Sequence, residues 1–516
     1  MEKLFEKMGR IRIIPQLDTY PLLVEFAKTA PGKVALTAVF SLFLFLLMPS
    51  LAHYLAPLLL VISLLPKYRH ALVFCGTVSL AALGLTWLKS DSIAGLPGRY
   101  GLDYVWDGWM VVPLLVASVF ALSSLLHWLA RTGRLNFMRG FSAWAPFTLL
   151  LLFGLILSYL PMPALLKAAG WAFFFFWGNY VWFQVYSIQE SRLPDQPSMV
   201  RQLAVYQPYW YPSLLPIPKG ASFLARIECR DAEALAVCQL KALKLIMWAA
   251  VLNGVFLLSE GFFYGESVDI SRSFLLQWRS GALHLFFNEN YLCQLLQRDF
   301  VAYFQPLDFV LKIMAQGAPA PAPGKAIAST VFYFLMYTCK LAISTHIGVA
   351  ICRMSGFYAP RCVYRPFESK SIADFFGRYY YYYRELLVTV FFYPVFFKFF
   401  KKQPKLRLFV ATFAAACLGN TLFHLLFSFD YIVQHGLIAA ALSFHTFAVY
   451  GLILTVGIFL SQLNRQKKPP QTGWLGSLKA LLVIVSFYSF ATIFANESHD
   501  SIMVNIRFLL AIFGIG

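Results

Sequence analysis

Long runs of apolar residues, separated by short polar loops, recur along the whole chain. A membrane-spanning helix needs about 20 predominantly apolar residues, and the runs predict twelve such helices. They lie near 34–48, 51–66, 71–88, 107–129, 141–160, 164–187, 243–263, 328–352, 408–428, 432–462, 476–495 and 501–516. The pattern therefore predicts an all-α polytopic membrane protein, in which the two short spans at the start form a hairpin or are tilted.

Breaks in the apolar pattern divide the chain into four regions. Residues 1–187 hold six spans, and residues 188–242 are predicted to be a polar cytoplasmic loop. Residues 243–462 hold the central spans and a stretch of mixed aromatic and charged residues that is typical of interfacial helices. Residues 463–516 are predicted to be a C-terminal transmembrane hairpin.

The composition supports a membrane protein and excludes several other classes. Hydrophobic residues make up 59% of the chain and charged residues 13%, about half the charge of a soluble domain. This excludes a secreted disulfide scaffold, a disordered chain and a nucleic-acid-binding domain. The net charge of +19 comes from Lys and Arg beside apolar runs, where basic residues orient helices in a bilayer. The expected partners are thus membrane lipids and no nucleic acid.

Loop charges predict the orientation of the spans. The loops at 67–69, 131–139 and 465–468 are basic, whereas the loop at 161–163 is uncharged and the loop at 496–500 is acidic. Because basic loops face the cytoplasm, both termini are predicted to be cytoplasmic.

One apolar segment, 372–397, departs from this alternation. Basic residues precede it at 361–370 and follow it at 398–407. If both flanks are cytoplasmic, the segment is re-entrant or forms a pair of short helices that enter the membrane and return. Such backbone is tolerated only inside protein or beside a water-filled cavity, so the segment predicts a cavity open to the cytoplasm.

Ionisable residues within spans are the candidates for chemistry, because burying them is costly. His424 lies 16 residues into its span, counted from Leu408, or about 24 Å at 1.5 Å per residue. Asn420 lies four residues earlier, on the same helical face. A neutral imidazole in this position can remove a proton from a hydroxyl. The alternative role is a hydrogen bond to a neighbouring helix.

Further candidates surround this pair in the sequence. Their shared property is a polar group inside an apolar region, with packing or inter-helix hydrogen bonding as the alternative role. They are His445, placed mid-span, Asp374, Arg378 and Tyr380 in the re-entrant segment, and Lys340 and His346 in the span 328–352. No metal-ligand spacing, Walker motif or nucleophile elbow is present, so neither a bound cofactor nor a metal is predicted.

The residues in three places resemble the membrane-bound O-acyltransferase (MBOAT) family. The strongest match runs from Gly356 through Arg365-Pro366-Phe367 to Ser369–Tyr380, whose sequence SKSIADFFGRYY is similar to the family's SxSIxDFWRRWH. The stretch Tyr209–Ile217 is similar to a proline-containing family motif, and His424 is similar to the family's catalytic histidine. The resemblance is greatest to the bacterial branch of alginate O-acetylation and teichoic acid D-alanyl transfer proteins.

The resemblance implies an MBOAT-like fold with its catalytic core in 243–462 and an acyltransferase activity. The donor would be a cytoplasmic thioester, either acyl-CoA or an acyl carrier protein, and the acceptor a hydroxyl of a glycan, lipid or secondary metabolite. His424 would be the base, supported by Tyr380, Arg378, Asn420, Asp374 and His445. The resemblance also implies a bacterial inner membrane.

The chain departs from the family at three positions. Tyr380 and Leu425 replace a family His and Gly, and His346 aligns with a family Asp. These departures leave open a non-catalytic transporter or scaffold on the same fold. A glycosyl or lipid transferase is less favoured, because acidic residues for acid/base or metal chemistry are few within the spans.

Overall fold

A computed structural model describes residues 14–83, 93–103, 105–134, 144–190, 220–264, 307–467, 473–495 and 501–515. Within these ranges the regular secondary structure is helical, and an isolated antiparallel bridge joins Glu228 and Phe357. The prediction of an all-α protein is confirmed at this level. The motif-like stretch 209–217 and most of the expected interfacial region lie outside the described residues.

In the described ranges, the N-terminal half contains eight helices longer than seven residues. They are α1 (Pro21–Lys28), α2 (Ala30–Leu47), α3 (Pro49–Leu64), α4 (Arg69–Ala82), α5 (Gly108–Arg131), α6 (Ala145–Tyr159), α7 (Ala164–Glu190) and α8 (Ala232–Tyr264), with short helices at Leu96–Arg99 and Ala221–Ile227. Several begin with proline in the first turn, where its missing N–H and fixed φ favour helix initiation.

The C-terminal half is more fragmented. Its helices are α9 (Leu307–Ala315), α10 (Pro323–Met354), α11 (Ile372–Tyr379), α12 (Tyr381–Leu387), α13 (Tyr393–Lys398), α14 (Pro404–Phe413), α15 (Asn420–Phe427), α16 (Phe429–His435), α17 (Leu437–Ser443), α18 (His445–Lys467), α19 (Trp474–Thr492) and α20 (Ile502–Ile512). Two π-helical segments, Val388–Phe392 and Ala414–Gly419, join α12 to α13 and α14 to α15.

Seven helices in the described ranges are long and apolar enough to cross a membrane. They are Ala30–Leu47, Gly108–Arg131, Ala232–Ser259, Pro323–Met354, Pro404–Phe427, His445–Asn464 and Trp474–Thr492. Leucines on such helices are exposed, as at Leu114 and Leu482, which suits contact with lipid. The protein is therefore a helical, multi-pass membrane protein.

The count falls short of the twelve predicted spans for definite reasons. The pair Leu51–Leu64 and Pro66–Ala82 bends by 110° and forms at most one span, which would give eight. Helix α20 has 11 residues, about 17 Å at 1.5 Å per residue, and cannot cross a core of about 30 Å. Helix α6, with 15 residues, is also short.

Helix α7 is long, but its Trp, Tyr, Asn and Gln residues lower its mean apolarity, so it does not count among the seven. Its buried positions lie on all sides of the helix, which is typical of a helix inside a bundle. Buried Gln184 accepts a hydrogen bond from Trp177 Nε1 at 2.6 Å and donates to Ser123 Oγ on α5 at 2.9 Å. The side chains of Gln184 and Trp177 on α7 are thus satisfied within the protein.

The segment 372–397 forms short helices rather than one rod. Helix α11 ends at Tyr379, and Tyr380 has an extended φ of −150° before α12 begins. Many of its side chains are buried, including Phe375, Tyr383 and Phe391. The segment is thus divided into α11, α12 and α13 and is largely buried within protein, the condition for irregular backbone at membrane depth. Its path through the membrane stays a prediction.

Candidate active site around His424

His424 lies on α15, directly after the second π-helical segment. Its side chain is half-buried, and its ring is 4.4 Å from the Phe447 ring, 5.6 Å from Phe423 and 6.4 Å from Tyr383, measured between centroids. Phe447 comes from α18 and Tyr383 from α12, so three parts of the chain meet at the imidazole. The aromatic neighbours limit the movement of the ring and exclude water from its sides.

Asn420 occupies the preceding turn of α15 and is 4% exposed. Its side-chain Oδ1 accepts a short hydrogen bond from the Tyr383 hydroxyl. Because the amide oxygen is held in this way, the amide nitrogen and its two N–H donors are turned away from Tyr383. Asn420 and His424 share one face of α15, and Tyr383 contacts the side chain of each.

Tyr383 is the functional candidate that the sequence did not single out. It belongs to the run Tyr379–Tyr383, whose five consecutive positions would cover all sides of a single helix. The break at Tyr380 divides the run, and Tyr383 both contacts the His424 ring and bonds Asn420. The sequence feature that could have pointed to Tyr383 is its spacing of three residues from Tyr380. The rings of these two tyrosines lie 5.2 Å apart.

Small residues allow the backbone to approach closely at this point. A Cβ atom on Gly419 would lie 2.5 Å from Cδ2 of Phe391, and one on Gly451 would lie 2.7 Å from the Cα of Cys417. Phe391 lies on the first π-helical segment, and Cys417 lies on the second. π-Helical turns are rare and often accompany functional sites. Here the second π-helical segment directly precedes α15, the helix that carries Asn420 and His424.

Tyr380 is one aromatic ring away from His424. Its ring contacts Tyr383 and lies 6.2 Å from the Tyr379 ring. These ring contacts connect Tyr380 to the imidazole through Tyr383, and Tyr380 is therefore a neighbour of the site.

Asp374 and Arg378 form an ion pair with each other on α11. Arg378 Nε donates to Asp374 Oδ1 at 3.1 Å, across one turn of the helix. Asp374 Oδ2 also accepts from the backbone N–H of Lys370 at 3.0 Å, and Ser371 caps the helix by accepting from the Asp374 N–H. In this arrangement both predicted site residues stabilise the start of α11.

The placement of His445 in the middle of a span is wrong. The predicted span 432–462 is interrupted at Gly436, whose φ of +84° favours glycine, and α18 begins only at His445. His445 is exposed, and its Nδ1 lies 3.2 Å from the carbonyl oxygen of Leu442. The side chain that α18 contributes to the site is Phe447, two residues later.

Comparison with protein-family models gives no match to the chain, and comparison with curated proteins gives none either. In the described ranges, no group of three or more His, Cys, Asp or Glu side chains could hold a metal ion. The site itself presents an imidazole and, on the same helical face, an amide oriented by Tyr383. An imidazole can accept a proton from a hydroxyl, and amide N–H groups can stabilise a developing oxyanion.

Proposed function

We propose that the protein is a membrane-bound O-acyltransferase with an MBOAT-like core and His424 as its general base. The observation that carries the proposal is the unit formed by His424, Asn420 and Tyr383 within the helical bundle. A buried asparagine side chain without a hydrogen-bond partner costs free energy. The bond from the Tyr383 hydroxyl, on another helix, therefore favours one orientation of the Asn420 amide. The family resemblance of Ser369–Tyr380 supports the same reaction class.

The proposed reaction is attack of an acceptor hydroxyl on a thioester carbonyl. The hydroxyl oxygen forms a bond to the carbonyl carbon while His424 takes the hydroxyl proton. The Asn420 amide nitrogen, with Tyr380 nearby, would stabilise the oxyanion that forms. The carbon–sulfur bond then breaks, the thiolate leaves, and the proton on His424 passes to it. The products are an ester and a free thiol.

The basic surface around 398–407 supports an anionic donor that arrives from the cytoplasm. Lys398, Lys401, Lys402 and Lys405 are exposed in the structure. Clustered positive charge raises the local concentration of anionic ligands. In this proposal the donor is acyl-CoA or an acyl carrier protein, and the acceptor is a glycan, lipid or secondary metabolite.

The proposed setting is the bacterial inner membrane with both termini in the cytoplasm. The basic loops at 67–69, 131–139 and 465–468 support this orientation, because Lys and Arg favour the cytoplasmic side.

The test compares wild type, His424→Ala, His445→Ala and an empty control in the native host. Base-labile esters on envelope glycans and lipids are measured, with protein level and thermal stability determined for each variant. We expect His424→Ala to lower the rate of ester formation by about 10²- to 10⁴-fold or more, the contribution that a general base typically makes. His445→Ala removes an exposed histidine and should retain wild-type activity.

Equal ester levels in His424→Ala and wild type, with both proteins folded, would contradict the proposal. A non-catalytic transporter or scaffold on the same fold would then become the leading function. If the esters vanish, the acid released from them and its carrier molecule identify the two substrates.

A further inference from the structure

Arginines without carboxylate partners cluster where α10 ends and the following loop begins. Arg353, on the last turn of α10, is 6% exposed, and its Nε donates to the carbonyl oxygen of Ala359 at 2.8 Å. Arg361 is half-buried in the loop and lies over the Tyr364 ring at 6.0 Å. Within the described part of the chain, neither guanidinium makes an ion pair.

The neighbouring cations differ from these two arginines in this respect. Arg69 pairs with Glu228 at 3.3 Å, and Lys241 pairs with Asp18 at 3.5 Å. Arg365, four residues after Arg361, pairs with Glu368 at 3.4 Å. Carboxylates are therefore supplied to the cations around the cluster but not to the two arginines within it.

The absence of carboxylate partners has an electrostatic cost, which affects the pKa of Arg361. Burial lowers the pKa of Arg361, and the positive charge of Arg353 lowers it further. Buried charge is ordinarily paired, because desolvation penalises an uncompensated ion. A bound anion would remove both the repulsion and the unpaired burial.

His346 adds a further polar group on the same side. It lies two turns before Arg353 on α10, is 8% exposed, and interacts electrostatically with both arginines. Its ring interacts with the carbonyl of Ala342 in its own helix, but its buried Nδ1 lacks a hydrogen-bond partner of normal geometry among the described residues.

We infer that Arg353 and Arg361, with His346, form a binding site for the phosphate group of a ligand. Guanidinium groups bind phosphate oxygens in a bidentate manner, which suits a pair of arginines free of carboxylates. The phosphate could belong to a soluble phosphorylated compound or to a phospholipid headgroup. The site rests on charge and burial and does not depend on the proposed acyl transfer.

The loop that carries this site also borders the region of His424. The Tyr382 hydroxyl donates to the carbonyl of Pro360 at 2.8 Å, and the Tyr381 N–H donates to the carbonyl of Cys362 at 3.0 Å. These bonds join the two sides of Arg361 to the residues just before Tyr383. A phosphate bound at the loop would therefore be anchored close to the break at Tyr380.

The test measures thermal unfolding of the full-length protein in lipid nanodiscs. One arm adds coenzyme A to phosphatidylcholine nanodiscs, and the other replaces part of that lipid with phosphatidylglycerol. The variants are Arg361→Gln and, as a matched control, Arg365→Gln, which removes the same charge from the same loop. Sodium chloride at equal ionic strength corrects for salt effects.

We expect one of the two additions to raise the unfolding temperature of wild type and of Arg365→Gln equally. Arg361→Gln should need at least tenfold more ligand for the same shift, while its stability without ligand matches wild type or exceeds it. If Arg361→Gln fails to fold, Arg361→Lys replaces it, with weaker binding expected because Lys lacks the planar fork. A response to coenzyme A identifies a soluble ligand, and a response to phosphatidylglycerol identifies a lipid.

Two results would overturn the inference. One is a wild-type protein that neither addition stabilises beyond sodium chloride. The other is an equal loss of response in Arg361→Gln and Arg365→Gln, which would indicate attraction to general loop charge. Because ester formation is not measured, this outcome is independent of the His424 test.

Discussion

The direction of the Asn420 amide depends on one hydroxyl group. In Tyr383→Phe the ring remains, but the donor to Asn420 Oδ1 is lost. We expect ester formation to fall about 10- to 100-fold, because small displacements of an oriented group are costly in catalysis. The free energy of unfolding should fall by about 1–3 kcal/mol, the cost of an unsatisfied buried acceptor. Activity assays and denaturation of the purified protein measure the two effects.

Tyr382→Phe is the matched control for this variant. It removes a neighbouring hydroxyl that donates to the carbonyl of Pro360 rather than to Asn420. A similar loss of stability with little loss of activity is expected. Equal losses of activity in both variants would mean that Tyr383 acts only through the stability of the fold.

The sequence predicted part of the site and missed part of it for geometric reasons. Asn420 and His424 are four residues apart on one continuous helix, so spacing alone placed them together. Tyr383 could not be placed in this way, because the break at Tyr380 resets the helical phase within the tyrosine run. His445 was misplaced because the apolar pattern continues through Gly436, although the helix does not.

At the scale of helices, the close contact between α18 and the second π-helical segment positions the site. Gly451 has no space for a Cβ, because backbone atoms of Cys417 and Ala416 would lie at 2.7 and 3.0 Å. Backbone cannot rotate away as a side chain can, so Gly451→Ala should separate the two elements. Phe447, one turn earlier on α18, would then move away from His424.

We expect Gly451→Ala to lower the free energy of unfolding by about 1–3 kcal/mol, as overpacking does, and to reduce ester formation. Gly254→Ala on α8 is the control, since a Cβ there meets no atom within 4 Å. That variant should be neutral or slightly stabilising, because alanine is the better helix former. Thermal unfolding of both variants in one detergent tests the prediction, and equal stability would contradict it.

At the scale of the whole molecule, hydropathy predicted the class of protein correctly. It predicted more membrane-spanning helices than the described residues contain. Apolar composition does not reveal where a helix bends, as at 65, or ends early, as at 512. Nor does it distinguish lipid-facing apolar residues from those buried in the bundle, which is why the aromatic helix α7 resembled an ordinary span.

The path of 372–398 through the membrane gives the last prediction. Exposed charged residues flank it at Glu368 and Lys402, and the segment is divided at Tyr380 and is not among the seven qualifying helices. Epitopes inserted after Glu368 and after Lys402 should therefore both be reached from the cytoplasmic side, in inside-out vesicles. Gly101 is exposed and lies between the predicted spans 71–88 and 107–129, which follow the cytoplasmic loop at 67–69 and precede the cytoplasmic loop at 131–139. An epitope after Gly101 should therefore face outward and be reached in intact spheroplasts. If the epitope at Lys402 behaves like the one at Gly101, the segment crosses the membrane. The basic residues at 398–407 would then lie on the outer face, where they could not bind a cytoplasmic donor.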